Sequence, residues 1–373
     1  MNKMTLNQAV NLTSDNITLL PYYIHSAGLT VMYIFSYMLV LLLSVVGNGL
    51  VCLVVFRNRK MHSVTNLFIV NLAISDLLVG VICVPTTLTD SLISGWPFSQ
   101  ITCTLSNLIQ GMSVSASVFT LTAIAVDRFT KTVYHHHLRP VTALFTIIFI
   151  WLLAFAIIFP SAATMTVIRL DNMYLVHDNQ MYPLCICFED WAKAVRRVYT
   201  LVIFIPVYLA PLVLISLMYG CIAGKLSNNL RENRVQSRKK IKVIRMLIMV
   251  AFLFIVSWLP LWILMLLTDY QDLDRQQTDF LSSYLFPVAH WLAFFNSGIN
   301  PIIYGFFNEN FRRGFQATVG FSSCRSFLTE MRHMLFSLVP PNRVSDKPED
   351  IGQGILLEDI PQVSHRVLEA WIE

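Results

Sequence analysis

Seven long apolar runs dominate this chain, at about 30–56, 64–93, 101–126, 141–167, 198–223, 243–268 and 281–307. Each is long enough, at ~1.5 Å rise per helical residue, to cross the ~30 Å hydrocarbon core of a bilayer. Composition points the same way. Hydrophobic residues make up 55% of the chain and charged residues 13%, with a mean hydropathy of +0.60, which is about half the charge of a soluble domain. Lipid offers no hydrogen-bond partners, so such runs must be helices whose polar side chains turn toward protein. The pattern predicts an all-α membrane protein built as a seven-transmembrane helix bundle over 30–307.

The segments between the runs set an orientation. Residues 1–29 form a polar tail with two acceptor sequons, at Asn11 and Asn16, as expected of a glycosylated extracellular segment. No basic start followed by a short apolar run marks a cleavable signal peptide, so the first span is expected to act as the targeting signal. Basic residues gather after the first, fifth and seventh runs: Arg57, Arg59 and Lys60, then a cluster from Lys225 to Arg245, then Arg312 and Arg313. Acids such as Asp90, Asp171, Asp269 and Asp279 lie at the other ends. The basic excess assigns those segments to the cytoplasm, and with it a plasma-membrane, multi-pass topology. Residues 308–322 read as a short amphipathic helix, with Phe311 and Phe315 on one face suited to the inner membrane surface. Cys324 follows it as a palmitoylation candidate, and 323–373 read as a largely disordered cytoplasmic tail. The connection at about 168–197 is read as the one long outer loop.

Inside the third run, Cys103, Gln110 and Ser117 recur every seven residues and so share a stripe. Asp127-Arg128 closes the run about 38 Å from Cys103. Other polar side chains interrupt the spans at Asn48, Asp76, Asn296, Ser297, Asn300 and Tyr304. Asp76 must be neutralised by a proton or a cation. The oxygens of Ser117, Asn296, Ser297 and Asn300 would suit a small hard cation such as an allosteric sodium ion; a hydrated polar network around a protonated Asp76 is the alternative, and the residues alone do not choose. Pro260, following Trp258, and Pro301 each remove a helix hydrogen bond and permit a kink. Cys52, Cys83 and Cys221 lie within spans and are expected to be packing residues.

Taken in order, Gly47-Asn48, Leu72-Ala73-Ile74-Ser75-Asp76, Cys103, Asp127-Arg128-Phe129, Trp151, Pro211, Ser257-Trp258-Leu259-Pro260 and Asn300-Pro301-Ile302-Ile303-Tyr304 supply one motif per span. Over about 30–320 the chain resembles a rhodopsin-like G-protein-coupled receptor. Within that family it is most similar to the RFamide and neuropeptide Y group, and within the group to the neuropeptide FF receptors. The stretches Gly95-Trp96-Pro97-Phe98, Glu189-Asp190-Trp191, Ala289-His290-Trp291-Leu292-Ala293-Phe294 and Asn308-Glu309-Asn310-Phe311-Arg312-Arg313-Gly314-Phe315 carry that closer likeness.

The resemblance implies a disulfide between Cys103 and Cys187 and leaves Cys185 unexplained. It implies an amidated peptide ligand, a heterotrimeric G protein and arrestin as partners in a lipid bilayer, with no nucleic acid and no cofactor beyond the sodium ion. It places an Arg-binding acid at Asp269. Glu189 and Asp190 would join Asp269 in an acidic mouth above a neutral floor of Thr87, Gln110 and His290. The activation switch would comprise Asp127, Arg128, Trp258, Pro260, Asn300, Pro301 and Tyr304, with Asp127 holding Arg128 in a resting ion pair. Phe129, and His135-His136-His137 in place of a proline after Tyr134, depart from the family pattern. Other readings fit less well. A transporter would show duplicated halves or matched broken spans. A light receptor would carry a lysine between 281 and 307. An amine receptor would have an acid where Gln110 stands. No nucleophile-and-base setting marks an enzyme.

Overall fold

The computed structural model describes residues 4–5, 17–58, 61–136, 138–229 and 234–319. The glycosylation candidates Asn11 and Asn16, His137, the palmitoylation candidate Cys324 and the tail from 320 onward lie outside the described residues. Helix α1 is Ala27–Arg57. Helix α2, Val64–Leu92, contains a π-helical turn at Val79–Cys83. Helices α3 and α4 are Gln100–Val133 and Pro140–Thr164. Helix α5 runs through Lys193–Phe204, a π turn at Ile205–Leu209, and Ala210–Asn229. Helix α6 is Arg234–Tyr270. Helix α7 runs through Arg275–Phe280, a π turn at Leu281–Leu285, and Phe286–Phe307. Helix α8 is Glu309–Val319.

Among the described residues, α1 to α6 each hold a stretch long and apolar enough to cross a membrane. The seventh span, Phe286–Phe307, has the length, 22 residues or about 33 Å. It is less apolar because it buries Asn296, Ser297 and Asn300 against its neighbours. The bundle is apolar on the outside as well: Phe35, Phe145, Phe149, Leu152 and Leu217 are exposed, as a lipid-facing surface requires. Cys221 belongs to that exposed surface, which corrects its reading as a packing residue; Cys83 is buried as expected.

Local chemistry explains where the helices start and where they deform. Ser63 and Ser99 cap α2 and α3, accepting from the backbone N–H groups of Asn66 and Thr102 at 3.3 Å. Asp274 and Gln277 form a reciprocal capping box at the start of α7. The three π turns are centred on Val81, Val207 and Ser283, each four residues before a proline: Pro85, Pro211 and Pro287. A proline ring crowds the carbonyl four residues back and cannot hydrogen-bond to it, and a locally widened turn relieves the clash. Pro160, Pro260 and Pro301 lie inside α4, α6 and α7 without such a turn.

The long connection after α4 is a β-hairpin, where the sequence predicted a loop. Strands β3 (Met165–His177) and β4 (Gln180–Glu189) pair antiparallel, and β1 (Met4–Thr5) and β2 (Thr18–Pro21) extend the sheet in the order β1-β4-β3-β2. The two-residue turn, Asp178-Asn179, has positive φ at both positions, 49° and 59°, the geometry that matches strand twist in a tight hairpin and that Asp and Asn tolerate. At the far end, α8 departs from expectation in a second way. Phe311 is fully buried and Phe315 nearly so. Phe311 packs on Tyr304 with ring centroids 5.9 Å apart, so these rings dock α8 onto α7 instead of entering lipid.

Helices α1 and α7 approach closely at Gly47, where an added Cβ would stand 2.8 Å from the Pro301 ring. Gly49 on the same helix has open space around it. We expect Gly47→Leu to lower the thermal midpoint of the detergent-solubilised protein, as overpacking by about 1–3 kcal/mol would. Gly49→Leu, which carries the same change in helix propensity, should lower it much less. Equal shifts measured for the two variants would contradict this close approach.

Candidate ligand-binding and activation site

Two cavities lie at the hairpin end of the bundle. Cys187 on β4 is bonded to Cys103 in the first turn of α3, with the Cα atoms 6.0 Å apart. Cys185 is a free thiol; its backbone carbonyl accepts from the Trp96 N–H at 2.7 Å. The side-chain amide of Gln100 acts as one more strand rung, donating to the Met165 carbonyl at 2.8 Å and accepting from the Val167 N–H at 2.7 Å. The hairpin is thus fixed to the top of α3 by a covalent bond and two hydrogen bonds.

The first cavity, about 350 Å³, lies between α2, α3, α4, α5, α6, α7 and β4. It brings together four of the predicted ligand residues, Thr87, Gln110, Glu189 and His290, with Trp258 also in its lining. The Nδ1 of His290 lies 2.9 Å from the Phe286 carbonyl. A carbonyl can only accept, so Nδ1 carries the hydrogen and a neutral ring offers Nε2 as an acceptor. The carboxylate of Glu189 accepts a short hydrogen bond from the Ser161 hydroxyl. Sequence reasoning missed Asp90, Asn107, Ser161 and Trp262, which line the same cavity. Two of these were signalled by helical spacing: Asp90 is three residues from Thr87, and Asn107 three from Gln110.

Asp269 lies in the second cavity, about 520 Å³, with Glu189, Arg196 and Thr200. Its carboxylate is engaged. Arg196 Nε is 2.6 Å from Oδ1, and the Thr200 hydroxyl donates to Oδ2 at 2.5 Å. The Asp269 side chain is only 8% exposed. Arg197 donates to the Asp269 backbone carbonyl at 2.6 Å and lies over the Tyr270 ring. The start of α5 and the end of α6 are therefore clamped together. Asp190 is exposed and lines neither cavity described here; its backbone N–H bonds the Thr164 carbonyl at 3.0 Å.

The middle of the bundle is a polar layer. Asn300 donates to the Asp76 carboxylate at 2.8 Å, joining α7 to α2. Asn48 donates to the carbonyls of Ser44, at 3.0 Å, and Ser297, at 2.9 Å. Trp151 donates to Asn71, and Asn71 to Thr120, linking α4, α2 and α3. Ser117, Asn296 and Ser297 are buried. The side-chain oxygens of Asn296 and Asn300 are buried with no hydrogen-bond partner among the described residues.

At the opposite end the expected Asp127–Arg128 ion pair is replaced by a different set of contacts. Asp127 pairs with Lys131, one turn on, at 2.9 Å. Thr65 lies between the two expected partners: its hydroxyl donates to Asp127 at 3.2 Å and accepts from Arg128 Nη2 at 3.0 Å. The reason is helical geometry, since neighbouring residues diverge around the axis whereas residues four apart share a face.

Asn48, the buried Asp76, the disulfide-bonded α3 and Asn300-Pro301 thus stand together in one helical bundle. The model for the 7 transmembrane receptor (rhodopsin family) matches residues 47–304. The chain belongs to the rhodopsin family of seven-transmembrane receptors. It is 52% identical over 326 residues to neuropeptide FF receptor 1 of Rattus norvegicus, covering 83% of this chain and 75% of the relative. Neuropeptide FF receptor 2 of Mus musculus is 51% identical over 315 residues, covering 81% and 75%. Neuropeptide Y receptor type 2 of Sus scrofa is more distant, at 35% over 294 residues, covering 76% and 75%. This receptor is a multi-pass plasma-membrane protein and not an enzyme.

Proposed function

We propose that this receptor binds an amidated peptide ending in Arg-Phe-amide and transmits binding to a heterotrimeric G protein. The observation that carries the reading is the charge of the first cavity: its described lining includes the carboxylates of Asp90 and Glu189 and no lysine or arginine. A peptide ending in a free carboxylate would meet like charge there, while a neutral amide finds Gln110, Thr87 and the His290 Nε2 acceptor. The names of the relatives support the same ligand class. The hairpin end faces outward in this reading, because a disulfide belongs in an oxidising compartment and the basic residues lie at the other end. The G protein, and arrestin after it, would dock at the Arg128 end. Peptide binding would shift the population between two helix arrangements through Trp258, Pro260, Asn300, Pro301 and Tyr304.

The ligand's arginine would meet Asp269 at the mouth. A carboxylate–guanidinium pair is directional and stronger than a neutral hydrogen bond. Because Arg196 already holds Asp269, the incoming guanidinium must exchange with it. We expect Asp269→Ala to weaken an Arg-Phe-amide peptide by about tenfold or more, the effect of losing a partner of a desolvated pair, about 2 kcal/mol. Replacing the peptide's arginine with citrulline should weaken the wild-type receptor strongly and the variant little in radioligand competition. Equal losses in both backgrounds would show that the two groups do not meet.

The polar layer also supports a sodium site. Asp76 supplies a carboxylate, Ser117 and Ser297 supply buried hydroxyls, and the buried oxygens of Asn296 and Asn300 want a donor or a cation. That set fits a small hard cation, which when bound would supply the counter-charge to Asp76 and favour the inactive arrangement. Agonist affinity should fall as sodium replaces choline at constant ionic strength, and Asp76→Ala should remove the dependence. A sodium response unchanged in the variant would leave the protonated, hydrated network.

A further inference from the structure

The Arg128 end of the bundle holds one buried acid and two basic side chains on the same helix that could balance it. The Asp127 side chain is fully buried, and Lys131, 22% exposed, holds its Oδ2 from 2.9 Å away. Arg128 donates through Nη2 to the Thr65 hydroxyl at 3.0 Å, and that hydroxyl donates in turn to Asp127 at 3.2 Å. Asp127 Oδ1 and Arg128 Nε are both buried without a hydrogen-bond partner among the described residues. An Asp127–Arg128 pair would have used such atoms, and here it is left unmade. A buried carboxylate has to be neutralised, and the first cation to reach it weakens the pull on the second. Lys131 has the better placement, one turn along α3 and on the same face as Asp127, the spacing that suits a helical ion pair. Arg128 is left half-buried on a neutral acceptor, with donors still unfilled.

We propose that Lys131 is a positioning residue that sets the basal activity of this receptor. By neutralising Asp127 it keeps Arg128 out of a resting ion pair, so that the guanidinium is available to acceptors brought by a docking partner. The assignment rests on the G protein docking at the Arg128 end, as read above. Two arrangements of the same three charges are in competition. In one, Lys131 holds Asp127 and Arg128 rests on Thr65, as the structure has it. In the other, Arg128 closes on Asp127 and its donors are spent within the receptor. The second would be favoured as soon as Lys131 lost its charge, because a fully buried carboxylate without a counter-charge is costly and Arg128 is the next cation along the chain. Removing the lysine ammonium should therefore quieten the receptor.

The test measures nucleotide exchange without any peptide, on each class of heterotrimeric G protein in turn, in membranes matched for surface receptor. Lys131→Met should lower exchange by about two- to fivefold, the population shift that one partly exposed ion pair commands. Lys131→Arg, which keeps the charge, should stay near wild type. In an Asp127→Asn background no carboxylate remains to be held, and Lys131→Met should change nothing there. Exchange unchanged or raised in Lys131→Met overturns the proposal. So does a loss of the same size in the Asp127→Asn background, which would mean that Lys131 acts on the G protein directly or on general stability. No exchange above receptor-free membranes from wild type and Asp127→Asn alike overturns it too. Exchange that survives Arg128→Ala would sink the docking reading and the proposal together, whereas exchange lost in Arg128→Ala but indifferent to Lys131→Met would sink the proposal alone.

Discussion

A carboxylate in the middle of a lipid-spanning helix has to be answered by other parts of the same chain, and Asp76 is answered by Asn300 across 2.8 Å. That contact ties α2 to α7 at the level where Asn48 bonds the Ser297 carbonyl from α1 and where Asn71 joins α3 and α4 through Thr120 and Trp151. Leaving any of these groups facing hydrocarbon would cost several kcal/mol. The polar layer therefore fixes which face of each helix turns inward, and the apolar outer surface follows from it. The cost of this solution is visible on α7, which buries Asn296, Ser297 and Asn300 on its inward face. In the same layer, the side-chain oxygens of Asn296 and Asn300, without a hydrogen-bond partner among the described residues, leave acceptor capacity.

The hairpin end depends on a second constraint. The Cys103–Cys187 bond ties β4 to α3 and the Gln100 rungs tie its partner β3 to the same helix, so that Glu189 is held at the border of both cavities. The Arg196–Asp269 pair then closes the α5–α6 side, while on the α2 side Asp90 lines the first cavity with no ion pair among the described residues. The two cavities consequently present different chemistry to a ligand: one acid that must be released from its own arginine, and one that is open.

Much of the architecture was legible in the sequence because membrane helices obey simple rules. Seven apolar runs, the single acid at position 76 and the heptad stripe through Cys103, Gln110 and Ser117 led directly to the bundle and to its polar interior. The helix rise from Cys103 placed Gln110 at depth, and the structure sets Thr87 and His290 with it in one cavity lining. What was not read had weaker or unfamiliar signals. The hairpin was hidden in an outer loop, although Asp178-Asn179 between two alternating stretches is a hairpin turn signal. The π turns were signalled by Pro85, Pro211 and Pro287, each four residues past the centre of one, and only Pro211 entered the sequence reading, as a family motif residue. The Lys131–Asp127 pair needed the i,i+4 rule to be applied ahead of the family pattern. The Arg196–Asp269 pair joins residues 73 positions apart in sequence numbering, and no local rule could have found it. Asp90 was counted among the surface acids because depth in a cavity is not a property of sequence.

The central claim is that the cavity end of this receptor recognises an uncharged amide terminus beside a cation and relays its binding to the Arg128 end. Calcium and cyclic-AMP responses of transfected cells test it most directly, with one peptide ending in Arg-Phe-amide and the same peptide ending in a free carboxylate. The account predicts a saturable response to the amide and little or none to the acid, because the acid would face Asp90 and Glu189. Equal responses to the two peptides, or none to either from a receptor at normal surface expression, would contradict it.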